Sequence, residues 1–216
     1  MTDAVVFDLD GVLLDSEQLW DEVRGELTRE GDGRWSERAQ ADMMGMSSPE
    51  WSRYMHDVLG LRESPDEIAA EVVRRMEARY RERLPLFAGA REAVERLAAR
   101  WPLGLASSSN RPLIDLALDL GGLAPFFAVT VSSEEVAHGK PAPDVYLEAI
   151  RRLDVQPPGA AAVEDSGNGI RSAHAAGLRV VAIPNAHFPP DEDALDLAAV
   201  VIPSVTALTP DLIDND

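Results

Sequence analysis

Residues 5–16, VVFDLDGVLLDS, decide the fold of this chain. A short apolar run rich in β-branched and aromatic residues predicts a buried strand, and it ends at Asp8 and Asp10, which are one residue apart. Side chains at positions i and i+2 of an extended segment point to the same side, so the two carboxylates share one face. The pair predicts a site for a hard cation, with Asp8 as an oriented nucleophile; an acid-rich loop after a strand is the alternative.

The composition limits the classes of protein to which the chain can belong. With 216 residues, 45% of them apolar, we expect one sizeable domain or one domain with an insertion. The net charge of −18 argues against a nucleic-acid partner and against an anionic membrane surface. Zero cysteines exclude disulfides and a cysteine nucleophile. Because no apolar run is long enough for a membrane span and the acidic start is unlike a secretory signal, we expect a cytoplasmic protein.

Strand-like and helix-like patterns alternate along most of the chain. Helix-period segments such as residues 89–100, apolar on one face and charged on the other, separate most of the apolar runs. This alternation predicts βαβ units and a parallel sheet with helices on both faces. Residues 16–84 contain no convincing strand and several helix-favouring runs such as 65–83, which predicts a helical insertion. The strand-like runs are residues 4–7, 103–106, 127–131, 160–163, 180–183 and 200–202.

Polar residues follow three further strand-like runs. The sequence SSSN at 107–110 offers donors for phosphate oxygens, although serines before a helix are also ordinary N-caps. Lys140 lies between a glycine and a proline and would be a fixed point charge, with an exposed loop lysine as the alternative. Glu164 and Asp165 add two acids, which the first turn of a capped helix would also explain. Since ligands bind at the carboxyl ends of strands in an open parallel sheet, the four groups together indicate one site.

Four segments resemble, in order, the four motifs of the haloacid-dehalogenase-like superfamily: DLDGV at 8–12, SSSN at 107–110, GKPAPDVY at 139–146 and EDSGNG at 164–169. Residues 16–84 resemble the small helical cap of the phosphoglycolate phosphatase and β-phosphoglucomutase branch of that superfamily. The resemblance covers nearly the whole chain. It implies an α/β fold with a Rossmann-like, doubly wound parallel sheet core of residues 1–15 and 85–216, and an inserted all-helical cap domain of residues 16–84.

The resemblance also implies a reaction and a role for each residue of the site. It implies a Mg²⁺-dependent phosphomonoester phosphatase in which Asp8 forms an aspartyl-phosphate and Asp10 serves as general acid and then as general base. The second acid of the first motif and both acids of the fourth favour phosphate over the carbon substrates of the metal-free dehalogenases. The implied ligands of Mg²⁺ are Asp8, the backbone carbonyl of Asp10, Glu164 and Asp165, and the implied phosphate-binding residues are Ser107, Ser108, Asn110 and Lys140.

The residues that follow the first motif bear on the substrate. Ser16 and Trp20 lie in the segment DSEQLWD at 15–21, which resembles the sugar- and polyol-phosphate phosphatases of this branch. Trp20 would form a wall of the pocket, with packing inside the cap as the alternative. The mutases usually carry a histidine at position 20 and an arginine where this chain has Ser47 and Ser48, which argues against a mutase. The implied partner is a small sugar, polyol or glycolate phosphate, and we expect a monomer or a weak homodimer.

Three alternatives to a phosphatase stay open at this point. One is a phosphosugar mutase of the β-phosphoglucomutase type, and another is an inactive relative that only binds a partner. The third is a receiver-like signalling module that carries a phosphoaspartate. The length of 216 residues, the long insertion and an acid/base group at Asp10 argue against the signalling module, because Asp10 would shorten the life of the phosphoaspartate.

Overall fold

The computed structural model describes residues 2–36 and 38–214, and its centre is a sheet of six parallel strands. The strands are β1 Ala4–Phe7, β2 Leu103–Ser107, β3 Phe127–Ser132, β4 Ala160–Glu164, β5 Arg179–Ala182 and β6 Val200–Val201. They lie in the order β3-β2-β1-β4-β5-β6, so that β1 is in the middle of the sheet. On one side of β1, Val5 pairs with Leu103 of β2, and on the other side it pairs with Ala161 of β4.

Helices connect the strands. They are α1 Glu17–Glu30, α2 Ala39–Met43, α3 Ser48–Asp57, α4 Pro65–Glu82, α5 Ala90–Ala98, α6 Arg111–Leu120, α7 Asp144–Arg152, α8 Gly167–Ala175, α9 Glu192–Leu195 and α10 Pro210–Asp214. Short 3₁₀ turns lie at Ala124–Phe126, Ser133–Glu135, Pro157–Gly159 and Val205–Ala207. Over the residues that the structure describes, no helix is both long enough and apolar enough to cross a membrane.

The sheet is buried on both faces. Val5 and Phe7 of β1 belong to a hydrophobic cluster that includes residues of α5 and α6, whereas Val6 belongs to a second cluster with residues of α7 and α8. Successive side chains of a strand point to opposite faces, so one apolar run serves both clusters. This double burial explains why the strands read as continuous apolar runs, and it confirms the predicted α/β fold with helices on both faces.

The direction in which strands are added reverses at β1. The strands β2 and β3 lie on one side of β1, and β4, β5 and β6 lie on the other, so the boundary between β1 and β4 is a topological switch point. Phe7, the last residue of β1, pairs with Val163 of β4. The residues that follow these two strands therefore emerge side by side, where ligands bind in open parallel sheets.

Residues 16–84, which we call the helical segment, lie between β1 and β2 in the chain. The helices α1 to α4 occupy it, and its described residues, 16–36 and 38–84, contain no strand. Two features of the sequence explain where α4 begins: Ser64 and Glu67 form a capping box, and Pro65 occupies the first helical position. An isolated antiparallel bridge joins Leu14 to Leu86, so the chain enters and leaves the helical segment at one place. The division into core and cap domains stays a prediction.

The ends of several elements differ slightly from those predicted. The helix predicted over 89–100 spans Ala90–Ala98, because Gly89 precedes it with a φ of 80° in the left-handed region that favours glycine. The strand predicted over 180–183 spans Arg179–Ala182, and the last strand ends at Val201. The strand predicted over 160–163 extends one residue further to Glu164, whereas β1 ends at Phe7 as predicted.

Candidate active site

An acidic cluster lies at the edge of the sheet where β1 and β4 end. Asp8 follows β1, Glu164 is the last residue of β4, and Asp165 comes next. One carboxylate oxygen from each of the three residues lies within 4.8 Å of the others, and all three side chains are buried. The structure thus brings Asp8 together with Glu164 and Asp165, which lie far from it in the sequence.

Lys140 is the only lysine of the chain, and its ammonium lies between two of these acids. Its Nζ is 2.9 Å from Oδ1 of Asp8 and 2.5 Å from Oε1 of Glu164. The lysine side chain is only 1% exposed, which rules out the exposed loop lysine considered from the sequence. Tyr146 donates its hydroxyl to the same oxygen of Glu164 at 2.7 Å. The ammonium therefore neutralises part of the negative charge of the cluster.

Burial makes this concentration of charge costly. Burial raises the pKa of Asp8 and of Asp165, and the neighbouring carboxylates raise both pKa values further. Burial alone would lower the pKa of Lys140, but Asp8 and Glu164 raise it above its usual value. One ammonium cannot neutralise three buried carboxylates. The remaining charge favours a cation at this place.

Two glycines make room for the acids. Gly11 has a φ of 78°, and a Cβ at this position would overlap the carboxylate of Asp165. A Cβ at Gly169 would likewise overlap the carboxylate of Glu164. Buried, closely spaced carboxylate oxygens are the donors that Mg²⁺ prefers, so the side chains of Asp8, Glu164 and Asp165 fit this ion. The backbone carbonyl of Asp10 stays a predicted fourth ligand.

The carboxylate of Asp10 is held by hydroxyl and indole groups. Its Oδ1 accepts hydrogen bonds from Ser16 Oγ at 2.5 Å, Trp20 Nε1 at 3.1 Å and Tyr80 OH at 3.2 Å. Its Oδ2 accepts a hydrogen bond from Ser109 Oγ at 2.6 Å. Three of these four donors belong to the helical segment, so Asp10 links that segment to the sheet edge. The predicted residues Ser16 and Trp20 thus lie beside Asp10.

The residues predicted to bind phosphate lie near the same edge but differ in their surroundings. Ser107 is buried, and its Oγ accepts a backbone N–H from the same turn at 3.0 Å. Ser108 lines the cavity described below and donates its hydroxyl to the carbonyl of Gly45 at 2.7 Å. The amide of Asn110 donates to Glu134 at 2.7 Å and does not line that cavity. A phosphate role for Asn110 would therefore use the second N–H of its amide, or require the amide to leave Glu134.

A cavity of about 430 Å³, counting the open space at its mouth, lies between the sheet edge and the helical segment. Asp8, Asp10 and Asp165 line it from the sheet edge. The helical segment contributes charged, aromatic and thioether side chains, among them Glu17, Trp20, Arg24, Met43, Met46 and Trp51. The site is thus a pocket, open at its mouth, that has acids on one wall and a mixed surface on the other.

Two charged side chains of α1 are buried in this mixed wall. Gln40 connects them, because its Nε2 donates to Glu17 at 2.8 Å and its Oε1 accepts from Arg24 at 3.0 Å. Burial and the nearby carboxylate of Asp10 raise the pKa of Glu17 to about 7. Burial lowers the pKa of Arg24 to about 10, so Arg24 stays charged at neutral pH, where Glu17 titrates.

We expect Glu17→Gln to change how stability depends on pH. The pKa of Glu17 in the folded protein, about 7, lies above its ordinary value of 4.5, so between these values the folded state holds a proton that the unfolded state has lost. The stabilisation from Glu17 is therefore complete below the ordinary value and is lost as the pH rises through the folded value. Between roughly pH 5.5 and pH 8, the free energy of unfolding of the variant should gain about 2 kcal/mol over the wild type.

Urea unfolding at the two pH values, in EDTA, measures this difference. Glu22→Gln is the matched control, because Glu22 is exposed on the same helix. A gain that does not grow with pH, or an equal gain in the control, would contradict a buried carboxyl group at position 17 that titrates near neutral pH.

Several roles in the site were not predicted from the sequence. Ser109 holds Asp10 and Tyr146 holds Glu164, although both residues lie inside predicted motifs. Asn185 donates its amide to Oδ2 of Asp165 at 3.3 Å and is buried, although it begins a proline-rich stretch that is typical of a surface loop. The available signal was its position just after β5, at the same edge of the sheet.

The doubly wound sheet and the acids at its switch point are typical of an α/β enzyme that binds its ligands at one sheet edge. Within that class, the chain belongs to the haloacid dehalogenase-like hydrolases, whose family model matches residues 2–177. The resemblance stated from the four motifs is therefore confirmed, and so is the prediction that the chain is a hydrolase.

Several relatives carry more specific names. Hexitol phosphatase B of Escherichia coli is 32% identical over 225 residues, which cover 95% of this chain and 94% of the relative. Fructose-1-phosphate phosphatase YqaB of Escherichia coli is 32% identical over 187 residues, which cover 82% of this chain and 94% of the relative. This chain is thus similar over most of its length to proteins named as phosphatases.

Solved structures share the fold. CbbY from Rhodobacter sphaeroides, in complex with phosphate, superimposes with a TM-score of 0.86 at 26% identity, covering 99% of this chain and 100% of the other. A putative β-phosphoglucomutase from Thermotoga maritima has a TM-score of 0.71 at 27% identity, covering 98% of this chain and 97% of the other. The similarity extends through both the sheet and the helical segment, since nearly the whole chain is covered.

Proposed function

We propose that this protein is a Mg²⁺-dependent phosphomonoester hydrolase that acts on a small phosphorylated metabolite through an aspartyl-phosphate. The observation that carries the proposal is the placement of Asp8 beside Lys140, Glu164 and Asp165, at a pocket that Asp8, Asp10 and Asp165 line. This arrangement offers a nucleophile, a positive charge, a cation site and an acid/base group at one edge of the sheet. Relatives named as phosphatases of sugar and polyol esters support the same class of substrate.

Asp8 acts as the nucleophile in the first step. Its carboxylate oxygen forms a bond to phosphorus while the bond from phosphorus to the ester oxygen breaks. Lys140, 2.9 Å from Asp8, supplies a positive charge that offsets the charge on the transferring phosphoryl group. Burial fixes both groups in place, so little reorganisation is needed during the reaction.

Asp10 moves the protons in both steps. It gives a proton to the leaving alkoxide in the first step and takes one from the water that attacks the aspartyl-phosphate in the second. The donors from Ser16, Trp20, Tyr80 and Ser109 all suit an ionised acceptor, which is the form of Asp10 needed to activate the water. The second step returns the proton to Asp10 and frees Asp8 and inorganic phosphate.

The cation site and the phosphate site share the sheet edge. Asp8, Glu164 and Asp165 would hold Mg²⁺ together with the backbone carbonyl of Asp10. When bound, Mg²⁺ neutralises phosphate charge and orients the phosphoryl group. The hydroxyls of Ser107 and Ser108, the amide of Asn110 and the ammonium of Lys140 are the proposed contacts of the phosphate oxygens.

We also propose that the helical segment acts as a cap over this site. It supplies one wall of the cavity and three hydrogen bonds to Asp10, so its position decides whether the acid/base group is held in place. The single point of entry and exit at Leu14 and Leu86 suits a hinge. The proposed division is a cap of residues 16–84 and a core of residues 1–15 and 85–216.

We expect phosphate release from small esters to require Mg²⁺. Three carboxylates and one ammonium leave the site too negative to receive a phosphate dianion without a further cation. Treatment with EDTA should lower kcat/KM by at least about 100-fold, and added Mg²⁺ should restore it. The assay is phosphate release across a panel of sugar, polyol, glycolate and nucleotide monophosphates.

The same panel separates the alternatives. A sugar phosphate that is isomerised without release of phosphate would indicate a mutase. A stable phosphoaspartate after treatment with acetyl phosphate, with no release from any ester, would indicate a signalling module. Release that is equally fast in EDTA would contradict the proposed role of the acidic cluster.

A further inference from the structure

Arg24 has no role in the chemistry proposed above, yet it lines the active-site cavity from a buried position. The residue is 5% exposed, and its guanidinium lies 4.4 Å from the ring centre of Trp20 and 4.8 Å from that of Trp51. Stacking on two indoles fixes the plane of the guanidinium. Arg24 is therefore held rigidly in the wall formed by the helical segment.

The protein leaves part of this guanidinium without a partner. One terminal nitrogen of Arg24 donates to Gln40, while the buried Nε has no hydrogen-bond partner among the residues that the structure describes. An arginine has five N–H donors, and leaving a buried donor unpaired destabilises a protein. The buried Nε is out of a ligand's reach, but the terminal nitrogens are not among the buried unpaired atoms, and Arg24 lines the cavity, so their unused N–H groups can serve a ligand.

The charges around Arg24 distinguish between classes of ligand. Glu17 lines the same wall and is connected to Arg24 through Gln40. A second phosphate or a carboxylate on the ligand would be repelled by Glu17 whenever that residue is ionised. A hydroxyl group can instead accept a hydrogen bond from Arg24 and donate one to Glu17.

The remaining lining of this wall fits the carbon skeleton of such a ligand. Trp20 and Trp51 present aromatic surface, and Met43 and Met46 present thioether side chains to the cavity. Aromatic and thioether groups pack against C–H surfaces and adapt to their shape. The wall thus combines hydrogen-bonding groups for hydroxyls with apolar surface for the carbons between them.

We propose that Arg24, together with Glu17, binds hydroxyl groups of the leaving alcohol and selects monophosphates of polyhydroxylated, otherwise uncharged molecules. Arg24 is then a specificity-determining residue. The inference rests on the proposed phosphatase function, because the alcohol reaches this wall only when its phosphate lies at Asp8. It narrows the substrate to polyol or sugar monophosphates and disfavours phosphoglycolate and bisphosphates.

The test compares three substrates in the wild type and in Arg24→Met, which keeps an unbranched side chain and removes every donor. For sorbitol 6-phosphate, kcat/KM should fall by about 10- to 100-fold, as expected for lost hydrogen bonds to a charged group. For acetyl phosphate, which has no hydroxylated leaving group, it should stay within about twofold. Phosphoglycolate should be a poorer substrate than sorbitol 6-phosphate for the wild type and should lose little in the variant.

Two further variants make the test robust. Arg29→Met is the matched control, because Arg29 is exposed on the same helix, and it should leave all three substrates unchanged. Arg24→Lys keeps a buried cation but not the planar group, so it should also lose activity on sorbitol 6-phosphate. If Arg24→Met does not fold, Arg24→Lys tests the same expected loss of activity on sorbitol 6-phosphate. Calorimetric titration of Asp8→Asn with sorbitol 6-phosphate, with and without Arg24→Met, gives a binding readout that does not depend on turnover.

The outcomes separate the inference from the proposed function. Equal loss on all three substrates, or no loss of affinity in the titration, would overturn the role of Arg24 while leaving the phosphatase intact. A loss confined to phosphoglycolate would assign Arg24 to a carboxylate and overturn the hydroxyl class. A wild type that releases no phosphate even from acetyl phosphate would overturn the phosphatase itself, and the inference with it.

Discussion

Replacing Asp8 by asparagine should abolish turnover. The amide cannot form the aspartyl-phosphate, and no other carboxylate among the described residues has the position of Asp8 beside Lys140 at the end of β1. We expect kcat to fall by at least about 10³-fold, in line with the loss of an essential nucleophile in other enzymes. The measurement is steady-state phosphate release, accompanied by mass spectrometry of acid-quenched protein to detect a covalently bound phosphoryl group.

The control for this change is Asp15→Asn, which alters an exposed acid in the same stretch of sequence and should retain activity. Intact-mass analysis must exclude deamidation, because conversion of the new asparagine back to aspartate would mimic residual activity. More than a few per cent of wild-type kcat in protein free of deamidation would remove Asp8 from the role of nucleophile.

Replacing Lys140 by methionine should damage both stability and activity. Asp8 and Glu164 would keep their burial but lose the ammonium between them, and removing one partner of a buried ion pair typically costs about 3–5 kcal/mol. We expect a loss of about 3 kcal/mol in the free energy of unfolding in EDTA near neutral pH. We expect kcat to fall by about 100-fold or more, because the positive charge that we propose for the transferring phosphoryl group is lost.

Urea unfolding with EDTA and with Mg²⁺ separates the two causes of instability. Mg²⁺ should recover part of the lost stability if the same carboxylates bind it, since bound cation replaces the missing positive charge. Arg62→Met, which removes an exposed cation, should change stability by less than about 0.5 kcal/mol. An unchanged free energy of unfolding in Lys140→Met would mean that Asp8 and Glu164 do not depend on this ammonium.

The sequence predicted the parts of the site that depend on strand ends. Asp8, Glu164 and Asp165 directly follow or end apolar runs, and parallel strands of one sheet bring their carboxyl ends to one edge. Lys140 could be assigned to the same edge by the resemblance. Its position between two carboxylates could not be derived, because it depends on how the loop after β3 folds back over the sheet.

The parts contributed by the helical segment were harder to predict. Arg24 and Glu17 belong to a helix with many charged residues, and the periodicity of a short helix does not say which polar residues face a cavity. The buried position of Asn185 could not be predicted, because a proline-rich stretch after a strand is typical of an exposed loop. In each case the missing information is tertiary: which faces meet is decided by the packing of distant segments, and not by local pattern.

The presence of one lysine in the chain gives the site a natural spectroscopic probe. Protein grown with isotope-labelled lysine would carry a single labelled side-chain nitrogen, at the point where Asp8 and Glu164 meet. Because this ammonium is buried and hydrogen-bonded, its protons should exchange slowly enough with water to give a visible NMR signal. That signal would follow metal binding and phosphorylation of Asp8 in the unaltered enzyme.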